Sequence, residues 1–198
     1  MGLKIEYPDG ATPLDADDLA ALIPSQIATQ GQLNEWEYAN VLRAEEWLAR
    51  TTRSDILETD FLLLLHEKMF GDTWRWAGSL RTKDTLPVGT SPEKIRIELT
   101  NLLEDVKVQV ATGSMDITEI AARYHHRLVY IHPFPNGNGR FSRLAADVVL
   151  VRNGHERFKW GENLGQEGDA RSQYIAALQA ADKWDCRRLF ELLGVVSR

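Results

Sequence analysis

The chain has 198 residues, 43% of them hydrophobic and 26% charged, a balance that buries one substantial core and excludes general disorder. A formal net charge of −6 argues against direct nucleic-acid binding, which needs a basic stripe. The single cysteine, Cys186, excludes an internal disulfide, no run approaches the roughly 18 apolar residues that span a membrane, and Met1 to Gly10 lacks the apolar core of a signal peptide, so a cytoplasmic protein is expected.

Apolar spacing predicts helix almost throughout. Leu19, Leu22 and Ile23 mark a first short stretch, and Trp36, Ala39, Val41, Leu42, Trp47 and Leu48 a long helix over residues 34–50. A third runs over 59–70, with Phe61 to Leu65 in the core and His66, Glu67 and Lys68 as its polar end. Gly78, Pro87 and Gly89 punctuate the stretch from Leu80 to Leu86, which reads as a hairpin or flap, with an ordinary surface loop as the alternative. Pro92 suits the first turn of a helix reaching about Ala111. Ile117, Ile120, Ala121, Tyr124 and Leu128 share one face of a helix from Asp116 to Tyr130, which delivers His132. Leu144, Val148 and Val151 indicate a buried helix from about Asn138, stopped by Asn153-Gly154. After a glycine-containing loop, Tyr174, Ala177, Leu178 and Ala181 fall at helical spacing, and residues 186–194 close the fold. With no internal repeat and no linker, the division is an N-terminal extension over 1–30 and one globular unit over 31–198.

The informative segment is His132-Pro133-Phe134-Pro135-Asn136-Gly137-Asn138-Gly139-Arg140-Phe141-Ser142-Arg143. Pro133 and Pro135 disfavour helix for the residues before them, so His132 to Pro135 should turn the chain. Gly137 and Gly139 let successive N–H groups point into one concavity, and the N-terminus of the following helix adds its dipole, which together attract an anion. Arg140 and Arg143, three apart on that helix, should share a face and grip two phosphates of one polyphosphate. A neutral imidazole at His132, with an ordinary pKa of about 6.5, can take a proton from an incoming hydroxyl. Phosphoryl or nucleotidyl transfer is the chemistry these residue types support. His125, His126, His132 and His155 do not have zinc-ligand spacing, with no Cys pair or His-Glu-x-x-His run beside them.

At these positions the chain resembles the Fic domain motif, His-x-Phe-x-(Asp/Glu)-Gly-Asn-Gly-Arg-x-x-Arg, at every named position except Asn136. The resemblance implies an all-α Fic fold, a helical bundle around a central loop-helix motif with a small β-hairpin flap. It also implies transfer of AMP from ATP onto a Ser, Thr or Tyr hydroxyl of a target protein. Carried across, it makes His132 the general base, Gly137 to Gly139 the anion nest, Asn138 and Arg140 phosphate contacts, and Arg143 the grip on the terminal phosphate. Phe134 would anchor the loop. The flap that clamps the target's backbone would be Arg81, Thr82, Lys83, Asp84, Thr85, Leu86, Pro87 and Val88. Tyr174 would line the nucleotide base, its alternative being a plain core residue. The family's acidic residue helps hold the Mg²⁺ that bridges the phosphates, with Mn²⁺ as a second candidate ion. Asn136 has no charge to offer, so metal binding at Asn136 should be weakened. A slow enzyme, an enzyme with altered donor or metal preference, and a chain that binds nucleotide without turnover all stay open.

The resemblance further implies an inhibitory helix whose glutamate pairs with the second motif arginine, here Arg143, and displaces the donor's terminal phosphate. The usual pattern, (Ser/Thr)-x-x-x-Glu-(Gly/Asn), is not met by Glu35 or Glu37, which have Gly31 and Leu33 four positions before them. The segment Asn34-Glu35-Trp36-Glu37-Tyr38-Ala39-Asn40 still offers candidates within about 34–42, Glu37 ahead of Glu35 because Asn40 follows it by one turn. The plain alternative is that both face solvent. The stretch Leu33 to Glu37 and the Pro135-Asn136 pair also resemble the subgroup called mobile mystery protein B, which implies bacterial origin and a helix-turn-helix neighbour protein as partner. The rival functional class is a catalytically impaired nucleotide-binding regulatory module, of toxin–antitoxin type.

Overall fold

The computed structural model describes residues 16–85, 89–161 and 168–195. In chain order the helices are α1 (Ala16–Ala20), α2 (Gln30–Arg50), α3 (Thr59–Phe70), α4 (Ile95–Thr112, led in by a 3₁₀ turn at Pro92–Lys94), α5 (Ile117–Ile131), α6 (Asn138–Arg152), α7 (Asp169–Ala181) and α8 (Arg187–Leu193). The all-α class read from the sequence is the observed one, and no strand forms among the described residues.

Local chemistry sets the helix starts. Thr29 accepts the Gln32 N–H at 3.2 Å while the Gln32 side chain accepts the Thr29 N–H at 3.2 Å, a capping box that begins α2 four residues before the expected 34. Asp116 accepts the Thr118 N–H at 2.9 Å and begins α5. α5 and α6 pack against one another at the centre, α3 and α4 flank them, and α2 lies on α3. The main core runs through α2 to α6, while α7 and α8 close a second apolar cluster against Ala122 of α5. The chain before α2 is tied to the turn after α3. Ile23 N–H bonds Thr73 O at 2.8 Å, Arg75 N–H bonds Ala21 O at 3.0 Å, and Ile27 enters the main core.

Four expectations are corrected. The fully buried stripe of α2 is Leu33, Glu37, Asn40 and Ala44; of the expected apolar set, Val41, Trp47 and Leu48 pack partly buried against the core, whereas Trp36 and Leu42 are exposed. Asn40 is satisfied inside, donating to Thr73 Oγ1 at 3.1 Å and accepting the Asp72 N–H at 3.2 Å. His66, read as part of a polar helix end, is fully buried, whereas Val151 is half exposed because Leu150 takes the inward position of the last turn. The hairpin is not formed over the described part of the flap segment. Residues 81–85 and 89–90 are irregular because Arg81 N–H bonds Pro133 O at 2.9 Å and Thr90 N–H bonds Ile131 O at 3.2 Å, so these donors face the motif turn instead of a partner strand. Leu86, Pro87 and Val88 lie outside the described residues.

Candidate active site

α5 ends at His132, which holds a left-handed conformation (φ 53°, ψ 60°) that is uncommon outside glycine. That turn carries the chain off the helix axis into the Pro133–Gly137 loop. The imidazole is 8% exposed, and its Nδ1 lies 3.3 Å from Val129 O, which fits a tautomer with the proton on Nδ1 and the lone pair on Nε2. Burial first, then the nearby Arg81 charge, pulls its pKa down to about 4 against the pull of the Val129 carbonyl. The ring is therefore neutral at neutral pH.

The loop is braced from within. Phe134 is fully buried, stacked on His66 with centroids 3.6 Å apart and meeting Phe141 edge-on at 4.9 Å. Asn138 spends both ends of its amide on the Phe134 backbone, accepting its N–H at 2.9 Å and donating to its carbonyl at 2.8 Å. At 2% exposure, its side chain is a clasp across the loop. His66 accepts the Gly78 N–H on Nδ1 at 3.0 Å and so carries its proton on Nε2, 3.1 Å from Asn136 O. Burial lowers its pKa to about 3 and keeps it in this form. The sequence did carry a signal for His66: it shares the inward face of α3 with Leu62, Leu65 and Met69. Gly137 caps α6 at φ 78°, and a Cβ there would meet Phe70 at 2.7 Å, so this position needs glycine for both conformation and space. The first turn of α6 opens beside the loop with N–H groups that helix geometry leaves without intrahelical acceptors.

The two arginines take different partners. Arg140 Nη1 lies 2.8 Å from Glu37 Oε2, and its guanidinium sits 4.8 Å above the Phe70 ring. The other Glu37 oxygen accepts the Trp74 indole N–H at 2.7 Å. Arg143 lies over the Tyr174 ring, 5.8 Å from its centroid. The two guanidiniums are thus engaged from α2 and from α7, and the glutamate expected to meet Arg143 meets Arg140. Glu35 is exposed. Tyr174 is 5% exposed with its hydroxyl 3.0 Å from His125 Nε2, so its described contacts are those of a core residue that presents a face to Arg143. Gly139 stands between, with Arg143 Nη1 3.6 Å from where its Cβ would be.

Residues 56–150, which hold this loop, its brace and α6 down to Leu150, match the Fic/DOC family. The chain belongs to the Fic/DOC family. It is 30% identical over 138 residues to the protein adenylyltransferase fic-1 of Caenorhabditis elegans, an alignment covering 67% of this chain and 26% of that protein. To the protein adenylyltransferase VbhT of Bartonella schoenbuchensis it is 28% identical over 123 residues, covering 59% of this chain and 26% of that protein. Among solved structures, Fic-1 of C. elegans superposes with a TM-score of 0.69 at 26% identity, over 88% of this chain and 50% of that one. BepC of Bartonella tribocorum, solved with bound AMPPNP, superposes with a TM-score of 0.69 at 17% identity, over 93% of this chain and 99% of that one. The chain therefore spans about a quarter of the length of these two curated relatives.

Within this Fic domain, the position expected to help hold Mg²⁺ fits a protein-held ion poorly. Asn136 Oδ1 is turned onto the Gly137 N–H at 2.6 Å, and no group of three His, Cys, Asp or Glu side chains converges among the described residues.

Proposed function

We propose that this Fic domain transfers AMP from ATP to a Ser, Thr or Tyr hydroxyl of a target protein. The observation that carries the reading is the placement of a neutral, buried His132 at the corner where α5 hands over to a braced loop and the N-terminus of α6. An incoming hydroxyl oxygen attacks the α-phosphorus, its proton passes to His132 Nε2, and the bond to the pyrophosphate leaving group breaks. The helix N-terminus and the cations Arg140 and Arg143 favour a polyphosphate there. Target main chain would run along the 81–88 segment, where strand addition tolerates varied side chains.

Two features restrain this activity in the proposal. Asn136 supplies no carboxylate for the nucleotide's metal ion, and the Glu37 carboxylate occupies the Arg140 guanidinium that a donor phosphate would use. Removing either should raise turnover. The experiment is incubation with α-labelled ATP and Mg²⁺ or Mn²⁺, comparing the natural chain and Glu37→Gly with the same chains carrying His132→Ala. Label that depends on His132 is the expected result. Nucleotide binding with no label in any of them would replace the enzyme with a regulatory binding module.

A further inference from the structure

Arg81 stands in the segment read from sequence as target-facing, yet it is 4% exposed. Its donors go to backbone carbonyls. Nε donates to His132 O at 2.5 Å, Nη2 to Ile131 O at 3.3 Å and to Thr90 O, and Nη1 to Lys83 O at 2.9 Å. Its own backbone N–H donates to Pro133 O at 2.9 Å. One residue thus holds three successive carbonyls, those of Ile131, His132 and Pro133, and the same guanidinium also bonds the carbonyls of Lys83 and Thr90.

Satisfying the last carbonyls of α5 with a cation is ordinary helix-end chemistry. Two observations go beyond it. The middle carbonyl belongs to a non-glycine residue in the left-handed region, a conformation that persists only where its surroundings hold it, and that residue bears the imidazole. The space around the guanidinium is also kept clear by glycine: a Cβ at Gly89 would stand 2.6 Å from Arg81 Nη2 and 3.1 Å from His132 Cβ.

We infer that Arg81 is a positioning residue for His132, fixing the left-handed turn that aims the imidazole. The inference rests on the adenylyl-transfer reading for its catalytic consequence and on geometry alone for its structural one. A guanidinium's planar fork reaches several carbonyls at once, whereas a lysine ammonium on a flexible stem brings the charge without the fork. Among the described residues, Arg81 is the charged group that acts on the His132 ring, Asp84 acts in turn on Arg81, and burial of the ring contributes more than either.

The test uses Arg81→Lys, Arg81→Gln and Gly89→Ala in the full chain, with two readouts. The first is the His132 titration followed by NMR of its ring Cε1–H, assigned by loss of the signal in His132→Ala. Arg81→Gln removes the cation and should raise the midpoint, while Arg81→Lys should keep it low. The second is adenylyl labelling, where all three variants should lose rate in kcat, Arg81→Lys by roughly 10²-fold because a misplaced base is costly, with KM for ATP little changed. A role confined to fold stability would lower Tm and leave the His132 midpoint and kcat of the folded variants alone, which would overturn the inference. If the natural chain shows no labelling, the adenylyl-transfer reading fails on its own. The titration then still decides this one: a midpoint in Arg81→Gln equal to that of the natural chain overturns it. Should Arg81→Gln not fold, a His132 Cε1–H chemical shift in folded Gly89→Ala equal to that of the natural chain does the same, because a Cβ at 89 would press on both Arg81 and His132.

Discussion

Glu37 and Arg140, 103 residues apart in the chain, meet at 2.8 Å across the interface between α2 and the motif helix. The contact is aimed, because the second carboxylate oxygen is pinned by the indole of Trp74, a fully buried residue. The carboxylate is held well inside and the guanidinium is about one-third exposed, so the arginine end is the one that can leave. A phosphate competing for Arg140 displaces a partner that the core holds in place.

Glu37→Gly should therefore raise ATP-dependent self-labelling and tighten nucleotide binding, since it frees the Arg140 fork. It should also cost stability of about 1–3 kcal/mol, because the buried Trp74 N–H loses its acceptor. Glu37→Gln separates the two effects. Its amide oxygen can still accept from Trp74 while the charge is gone, so labelling should rise with a smaller loss in Tm. Exposed Glu35→Gly should change neither quantity, and unchanged labelling in all three variants would retire the brake.

Asn138→Ala tests whether the motif's second asparagine acts on the loop or on the nucleotide. Both bonds to the Phe134 backbone vanish, leaving a buried N–H and C=O to find other partners, so unfolding free energy should fall by about 2–3 kcal/mol. Labelling should fall with it. Asn138→Asp keeps the acceptor for the Phe134 N–H and loses the donor to the Phe134 carbonyl, so it should lie between. A variant of native Tm with abolished nucleotide binding would instead return Asn138 to the phosphates.

Much of this was legible in the sequence because helices announce themselves by apolar period, caps and breakers. The Asp116 start of α5 and the Gly137–Asn138 start of α6 are both read from residues that local chemistry dictates. What stayed hidden was long-range pairing. Glu37 and Asn40 look like the wet face of α2, and only Trp74, Thr73 and Asp72, some thirty residues on, turn that face inward. The helical positions of Arg140 and Arg143 suggested a joint grip, but guanidiniums on long stems follow their partners, one on α2 and one on α7. Arg81 in a turn-rich stretch reads as solvent-facing until the carbonyls of α5 are seen beneath it.

Acid should destabilise the fold in a specific window. His66 and His125, lowered to about 3, and His132, lowered to about 4, are neutral when folded, and burial lowers His126 as well. Unfolded imidazoles take protons below 6.5, so between that value and the folded ones the unfolded chain holds more protons and stability falls as pH falls. Asp147 acts the other way. Buried while accepting from Trp160 and Phe158, it is raised from 3.8 to about 6, so it adds stability as pH drops across that range. Several imidazoles against one carboxyl leave a net uptake of about two to three protons on unfolding near pH 5, or roughly 3–4 kcal/mol lost per pH unit. Denaturant titrations between pH 7 and pH 4.5 measure the slope, and a flat profile would contradict the buried neutral imidazoles.

Asn136→Asp addresses the one departure from the Fic motif. In the natural chain the Asn136 side-chain oxygen takes the Gly137 N–H at 2.6 Å. An aspartate can keep that bond through one oxygen and offer the other, charged, to a nucleotide-bound Mg²⁺, an ion that prefers hard anionic oxygens. The substitution should therefore lower the Mg²⁺ concentration needed for half-maximal labelling and raise the rate, while Asn136→Asp with His132→Ala stays silent. Mn²⁺ should narrow the gap between asparagine and aspartate, because it accepts nitrogen and neutral oxygen donors more readily than Mg²⁺ does. If Asn136→Asp labels and the natural chain only binds ATP, the asparagine has made this Fic domain a nucleotide-binding regulator. If both label at the same rate and metal concentration, the charge at this position is not what limits the reaction, and the Glu37–Arg140 pair is left as the restraint to remove.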